Sequence, residues 1–135
     1  MRETAAELRA LQALIDRSHA NTKPHMREII HPGEDSLSAT QVVKLLNGMK
    51  TVAVAAPAPN GDPLVGPMNG WFLHGKFFFS SSGDAVRIKG LRARPRASVV
   101  YFDGEKFAVI APGVYVRLDA DRFFTYSRTP KAFPG

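Results

Sequence analysis

Three turn signals, each set between apolar runs, constrain this chain more than any other feature of its sequence. Asn60-Gly61 lies inside a turn cluster from Pro57 to Pro63, His74-Gly75 is a two-residue connection, and Asp103-Gly104 joins two further runs. Asn, Asp and Gly accept the backbone angles that tight hairpins need, so the flanking runs are expected to pair as antiparallel neighbours. The runs are 51–56, 64–73, 76–80 (with three consecutive phenylalanines), 97–102 and 107–116, with 122–126 as a short sixth. A row of hairpins leaves exposed edges unless the sheet closes on itself, so a barrel is the economical architecture.

Helices are expected before and within this sheet. Thr4 and Glu7 have capping-box spacing, and Leu8, Leu11, Leu14 and Ile15 follow as an apolar stripe. Residues 21–36, with Pro24 and Pro32-Gly33, read as loop. Ser38 and Gln41 form a second capping box, Leu37 and Val42 occupy hydrophobic-staple positions, and Gly48 supplies the stop. A third, short helix is expected over 83–93, with Ala85, Ile88 and Leu91 inward and Pro95 closing it. The expected organisation is a single domain over 1–135. It has an N-terminal helical arm and loop (1–36), a helix-and-barrel body (37–126) and a tail (127–135).

Composition excludes several chemistries. With no cysteine among 135 residues there is no disulfide, thiolate metal site or cysteine nucleophile. No signal peptide is evident, since Glu3 and Glu7 interrupt the start, and no apolar run nears the ~20 residues of a membrane span. The expected compartment is the cytoplasm. His25 and His31 are six apart with no third partner in view, so no metal site is expected. Asp119 and Asp121 read as turn formers, and His74 as a turn residue. There is no serine elbow, P-loop or dinucleotide fingerprint.

The net charge of +6 suits an anionic partner or simply a solvated basic surface. One stretch is more specific. Ser80-Ser81-Ser82-Gly83-Asp84 precedes the short helix, whose first turn presents unpaired N–H groups to an anion. Arg87 and Lys89 follow, where they would add charge-assisted hydrogen bonds. The alternative is that Ser82 or Asp84 only caps the helix while both cations face water. Arg87, Lys89, Arg92, Arg94 and Arg96 also raise nucleic-acid binding, but they point around a helix and into a strand instead of along one stripe.

The order of these parts, "GPMNGWFL", a tight turn, "KFFFSSSGD", then "AVRIKGLRARPRASVVYF", resembles the pyridoxamine 5′-phosphate oxidase-like family, the flavin-binding split β-barrels. The likeness runs over about residues 40–117, and "RPRA" at Arg94 to Ala97 fits that family's pattern. It implies a mainly β fold with helices: a six-stranded antiparallel split β-barrel, N-terminal helices, and a short helix after the third strand. It implies FMN held by its phosphate, in a homodimer with the site at the interface. The same group contains deazaflavin and haem binders, so those cofactors stay open. The resemblance assigns Ser80, Ser81 and Ser82 as hydroxyl positions, and Arg87 and Lys89 as basic ones. It runs Met68, Asn69, Gly70 and Trp71 beside the ring system. Trp71 would stack on the ring or fill the core, with the core favoured, and Gly66 and Gly70 would admit a ligand or merely bend the strand.

This chain departs from the family where the usual Ser-Arg-Lys run is Ala85-Val86-Arg87. Relatives commonly continue through a further helix and strand, whereas this chain ends soon after Phe133, which argues against pyridoxamine phosphate as substrate. The expected activity is a flavin-dependent oxidoreductase acting on a small molecule, with a non-catalytic flavin binder as the alternative and no catalytic residue identified. The cofactor would carry the electron chemistry, which accounts for the lack of an obvious acid or base.

Overall fold

The computed structural model describes residues 2–29, 31, 34–80, 85–104, 107–115, 118–120, 123–127, 130–133 and 135. Helix α1 runs Ala5–Ala20, α2 Pro24–Ile29, and α3 Ala39–Leu45. Strands β1 Lys50–Pro57, β2 Pro63–Leu73 and β3 Lys76–Ser80 follow, then helix α4 Val86–Ala93. Strands β4 Arg96–Asp103, β5 Phe107–Tyr115, β6 Leu118–Ala120 and β7 Phe124–Tyr126 precede a 3₁₀ turn at Pro130–Ala132. The architecture is mixed, an antiparallel sheet with helices, and among the described residues no helix is long and apolar enough to cross a membrane.

Both capping boxes form. Thr4 accepts from the Glu7 N–H while the Glu7 carboxylate accepts from the Thr4 N–H, and Ser38 and Gln41 do the same. Each box satisfies two of the donors that a helix start leaves unpaired. The helix α3 stop also holds, with Leu46 at the C-cap and Gly48 at φ +79°. At the β2–β3 connection His74 (φ +54°) and Gly75 (φ +77°) both adopt the left-handed region that a type I′ hairpin requires.

All pairings are antiparallel, in the order β4-β1-β2-β3-β6-β5-β7, and β4 also pairs with β5 from Arg96–Val114 to Asp103–Phe107. The β3–β6 link is one pair, Phe77 with Leu118. The β1–β2 ladder runs the whole length of β1, whereas β3 pairs with β2 only from Asn69 onward. Pro67, paired with Ala53 of β1, sits where β2 has a described strand on one side only, the edge-like position that tolerates a proline. The core lies between the sheet's inner face and helices α1 and α3. Leu11, Ile15, Leu37, Val42 and Leu46 meet Val52, Val54, Phe72, Phe77, Val109 and Phe123.

Several expectations need correction. The 21–36 loop contains helix α2, though none of its residues is buried. Among the described residues there are seven strands where six were expected: Leu118–Ala120 is a separate strand paired with β5, and Phe124–Tyr126 is the last of them. Helix α4 starts at Val86, later than expected, with Ala85 at the N-cap and no side-chain cap. The tail folds back. Gln41 donates to the Pro130 and Phe133 carbonyls, and the Phe133 ring meets Phe107 edge-on at 5.5 Å.

Candidate functional site

Strand alternation decides which side chains share a surface. On β2, Met68, Gly70 and Phe72 are buried, while Val65, Pro67, Asn69 and Trp71 take the opposite face. On β1 the buried positions are Val52, Val54 and Ala56, leaving Thr51, Ala53 and Ala55 on the outer face. On β4, Ala97 and Val99 are buried, and Val100 and Phe102 lie outward. Ala53 pairs with Pro67 on one side and with Val100 on the other. These three floor an open groove of about 340 Å³, with Val65 and Phe102 as its flanks and Thr51 at one end. Val65 is 73% exposed and Phe102 59%, so none of the described residues covers the flanks.

A polar row borders the apolar floor. Thr51 pairs with Asn69, and Asn69 pairs with Ser80, which places three exposed polar side chains abreast on three strands. Trp71 and Phe78 form the next outward pair along β2 and β3. Trp71 is half-buried there and is not a member of the core, against the preference drawn from sequence. The reason is parity, because its neighbours Gly70 and Phe72 take the inward positions.

The cations divide among separate tasks. Gly66 lines the groove with its backbone, and the Arg87 guanidinium lies on its inward side, the side of Val54 and Met68, where a side chain would otherwise stand. Among the described residues Arg87 makes no hydrogen bond or ion pair. Arg94 instead donates to the Pro59 carbonyl at 3.1 Å and packs beside Gly61, clamping the β1–β2 turn. Lys89 and Arg92 are exposed. Helix α4 can lie this close because Gly90 meets the Pro57 carbonyl, which leaves no room for a Cβ.

Of the residues expected to form the site, Asn69 and Ser80 are brought together on the outer face. Trp71 is beyond them, and Arg87 reaches Gly66 from α4. Met68 and Gly70 face the core instead. A Cβ on Gly70 would stand 3.3 Å from Val52 and 3.4 Å from the Phe79 ring, so this glycine serves packing. Ser81 and Ser82 lie outside the described residues, as do Gly83 and Asp84. Thr51, Val65, Val100 and Phe102 were missed, although strand parity around Pro67 and Val99 contained the signal. No group of three metal-ligating side chains occurs among the described residues, and His31 pairs with Asp35 at 2.9 Å.

No family model matches the chain, and no curated protein does. Among solved structures the chain is similar to the conserved hypothetical protein Rv2991 from Mycobacterium tuberculosis. The TM-score is 0.66 at 16% identity, covering 77% of this chain and 93% of that one. A second solved chain superimposes with a TM-score of 0.52 at 21% identity, covering 67% of this chain and 80% of that chain. The likeness is one of fold.

Proposed function

We propose that this protein binds a flavin mononucleotide-type cofactor across the groove of β1, β2 and β4, as a member of the pyridoxamine 5′-phosphate oxidase-like split barrels. Support for the split-barrel reading comes from the pairing order, in which β4-β1-β2-β3-β6-β5 returns to β4. One observation carries the site: an open apolar groove floored by Ala53, Pro67 and Val100 is lined by the backbone of Gly66, and the Arg87 guanidinium, without a hydrogen bond or ion pair among the described residues, lies against the inward side of that same glycine. A flat ring suits a floor of Ala53, Pro67 and Val100, which has no long side chain to displace. The polar row of Thr51, Asn69 and Ser80 offers hydrogen-bonding groups to the ring's polar edge. Arg87, at the inward side of Gly66 and not among the groove's lining residues, is the cation proposed for the phosphate, with Lys89 as a more distant contributor.

The groove volume falls at the lower end of small-ligand sites, roughly 300–1,000 Å³. One open wall is left for a second subunit to cover, so a homodimer belongs to the same reading. When bound, the flavin would supply the electron transfer in an oxidoreductase; the residues here bind, orient and shield it. A deazaflavin would use the same floor and phosphate contact. Haem is less suited, because no histidine is among the residues lining the groove. Nucleic acid is disfavoured by the division of the arginines, with Arg87 at Gly66 and Arg94 at Pro59, which leaves no single basic stripe.

Titration with FMN, riboflavin and a random oligonucleotide tests the reading, with visible absorption and fluorescence as readouts. FMN is expected to bind at least about tenfold more tightly than riboflavin, equivalent to one charge-assisted contact. Equal binding of the two would remove the phosphate role. Preference for the oligonucleotide, with affinity collapsing between roughly 50 and 200 mM salt, would replace it with polyanion binding.

A further inference from the structure

Helix α1 is fastened to the rest of the chain at both ends, and each fastening contains a histidine. At its start, Glu7 Oε2 lies 3.1 Å from His74 Nδ1, and Glu3 accepts from the His74 N–H at 3.0 Å. At its end, Ser18 Oγ donates to the Leu14 carbonyl and accepts from the Phe123 N–H at 2.9 Å. His19, only 6% exposed, accepts the Thr125 N–H at Nε2, at 3.3 Å. The Thr125 hydroxyl is itself used twice, accepting from the Leu37 N–H at 2.7 Å and donating to the Leu37 carbonyl at 3.0 Å.

The two histidines use their rings in opposite senses, His74 donating to a carboxylate and His19 accepting from a backbone N–H. A ring nitrogen accepts a hydrogen bond only when it carries no proton. Protonated His19 would set an N–H against the buried Thr125 N–H. Charged groups lining the cleft beside His19 are Asp16 on α1, Glu34 on the loop before α3 and Lys131 on the 3₁₀ turn; from β7 the described contact is the Thr125 N–H. We propose that α1 is a one-ended strap: His19 is a latch that acid opens, and the Glu7–His74 contact is the hinge that stays closed. Release frees the last turns of α1 and widens the adjoining cleft, about 870 Å³ in the closed state.

Burial holds the His19 pKa below the ordinary histidine value of 6.5, with Asp16 opposing. The sign follows: the open state binds the extra proton, so the latch is fully formed above 6.5 and weakens as pH falls below it. Hydrogen exchange followed by mass spectrometry, at about pH 7.5 and about pH 5.5 and corrected for intrinsic rates, reads this directly. Peptides covering 15–20 should open up to about tenfold more often at the lower pH. Peptides covering 5–9 and 50–73 should not. The variant His19→Gln carries an acceptor that does not titrate, and should abolish the difference. Equal protection of 15–20 at the two pH values, or the same acid response in His19→Gln, overturns the proposal. Should that variant fail to fold, the ring's own NMR titration decides. A neutral Nδ1–H tautomer with a pKa under that of the denatured chain supports the latch, and a pKa at or above it refutes it.

Discussion

At the scale of single residues, Gly66 and Arg87 carry the functional argument, and they make separable predictions. Arg87→Ala removes the cation and should weaken FMN binding by about 1.5–3 kcal/mol, roughly ten- to a hundredfold. Lys89→Ala should cost less, since Lys89 is exposed and has no described contact with the groove. Gly66→Ala is the sharper probe. Its added methyl would meet the tip of the Arg87 side chain, which can swing aside, and Gly66 is not at a positive φ. Stability should therefore change by less than about 0.5 kcal/mol, while FMN affinity falls. If both substitutions act through the guanidinium, the double variant should bind no worse than Arg87→Ala alone. Additive losses, measured by calorimetry, would mean that Gly66 acts on the cofactor by itself.

At the scale of elements, the same chemistry gives the opposite result at Gly90. Alanine there gains about 1 kcal/mol of helix propensity. Its methyl, however, would collide with the Pro57 backbone carbonyl, which belongs to β1 and cannot rotate away. Overpacking of this kind costs about 1–3 kcal/mol or more, so Gly90→Ala should lower the urea midpoint despite the better propensity. The elements most legible in sequence were those with paired local signals, such as Thr4 with Glu7, Ser38 with Gln41, and His74-Gly75. Helix α2 was not legible because it buries nothing and so has no apolar period. Strand β6 was not legible because it is only three residues long and its β5 partners, Gly113 to Tyr115, fall inside a run that reads as one continuous strand, while its other partner, Phe77 on β3, is distant in sequence. The same limit applied to the site. Asn69 and Ser80 were named from a motif, but that Met68 and Gly70 face the other way, and that Thr51 joins the row, depends on register.

At the scale of the whole molecule, the outer face of the sheet exposes several large apolar side chains, the kind of surface that marks an interaction site where it is contiguous. Val65, Phe78, Phe102 and Ile110 are all exposed on outward positions of strands β2 to β5, around a groove with one wall missing. A second copy related by a two-fold axis would cover this face with itself, the commonest closed arrangement for a chain that self-associates. Light scattering at micromolar concentration should then give twice the 14.8 kDa chain mass. Phe102→Lys places a charge on the flank without touching the core, since Phe102 packs on no buried cluster. It should shift the mass toward the monomer while leaving the thermal midpoint of the subunit nearly unchanged. Because the groove would lose its second wall, FMN affinity should fall with the dimer fraction, and raising protein concentration should restore both together. A monomeric Phe102→Lys variant that still bound FMN as tightly as the parent would show that one subunit suffices. A parent already monomeric at these concentrations would remove the shared interface from the reading altogether.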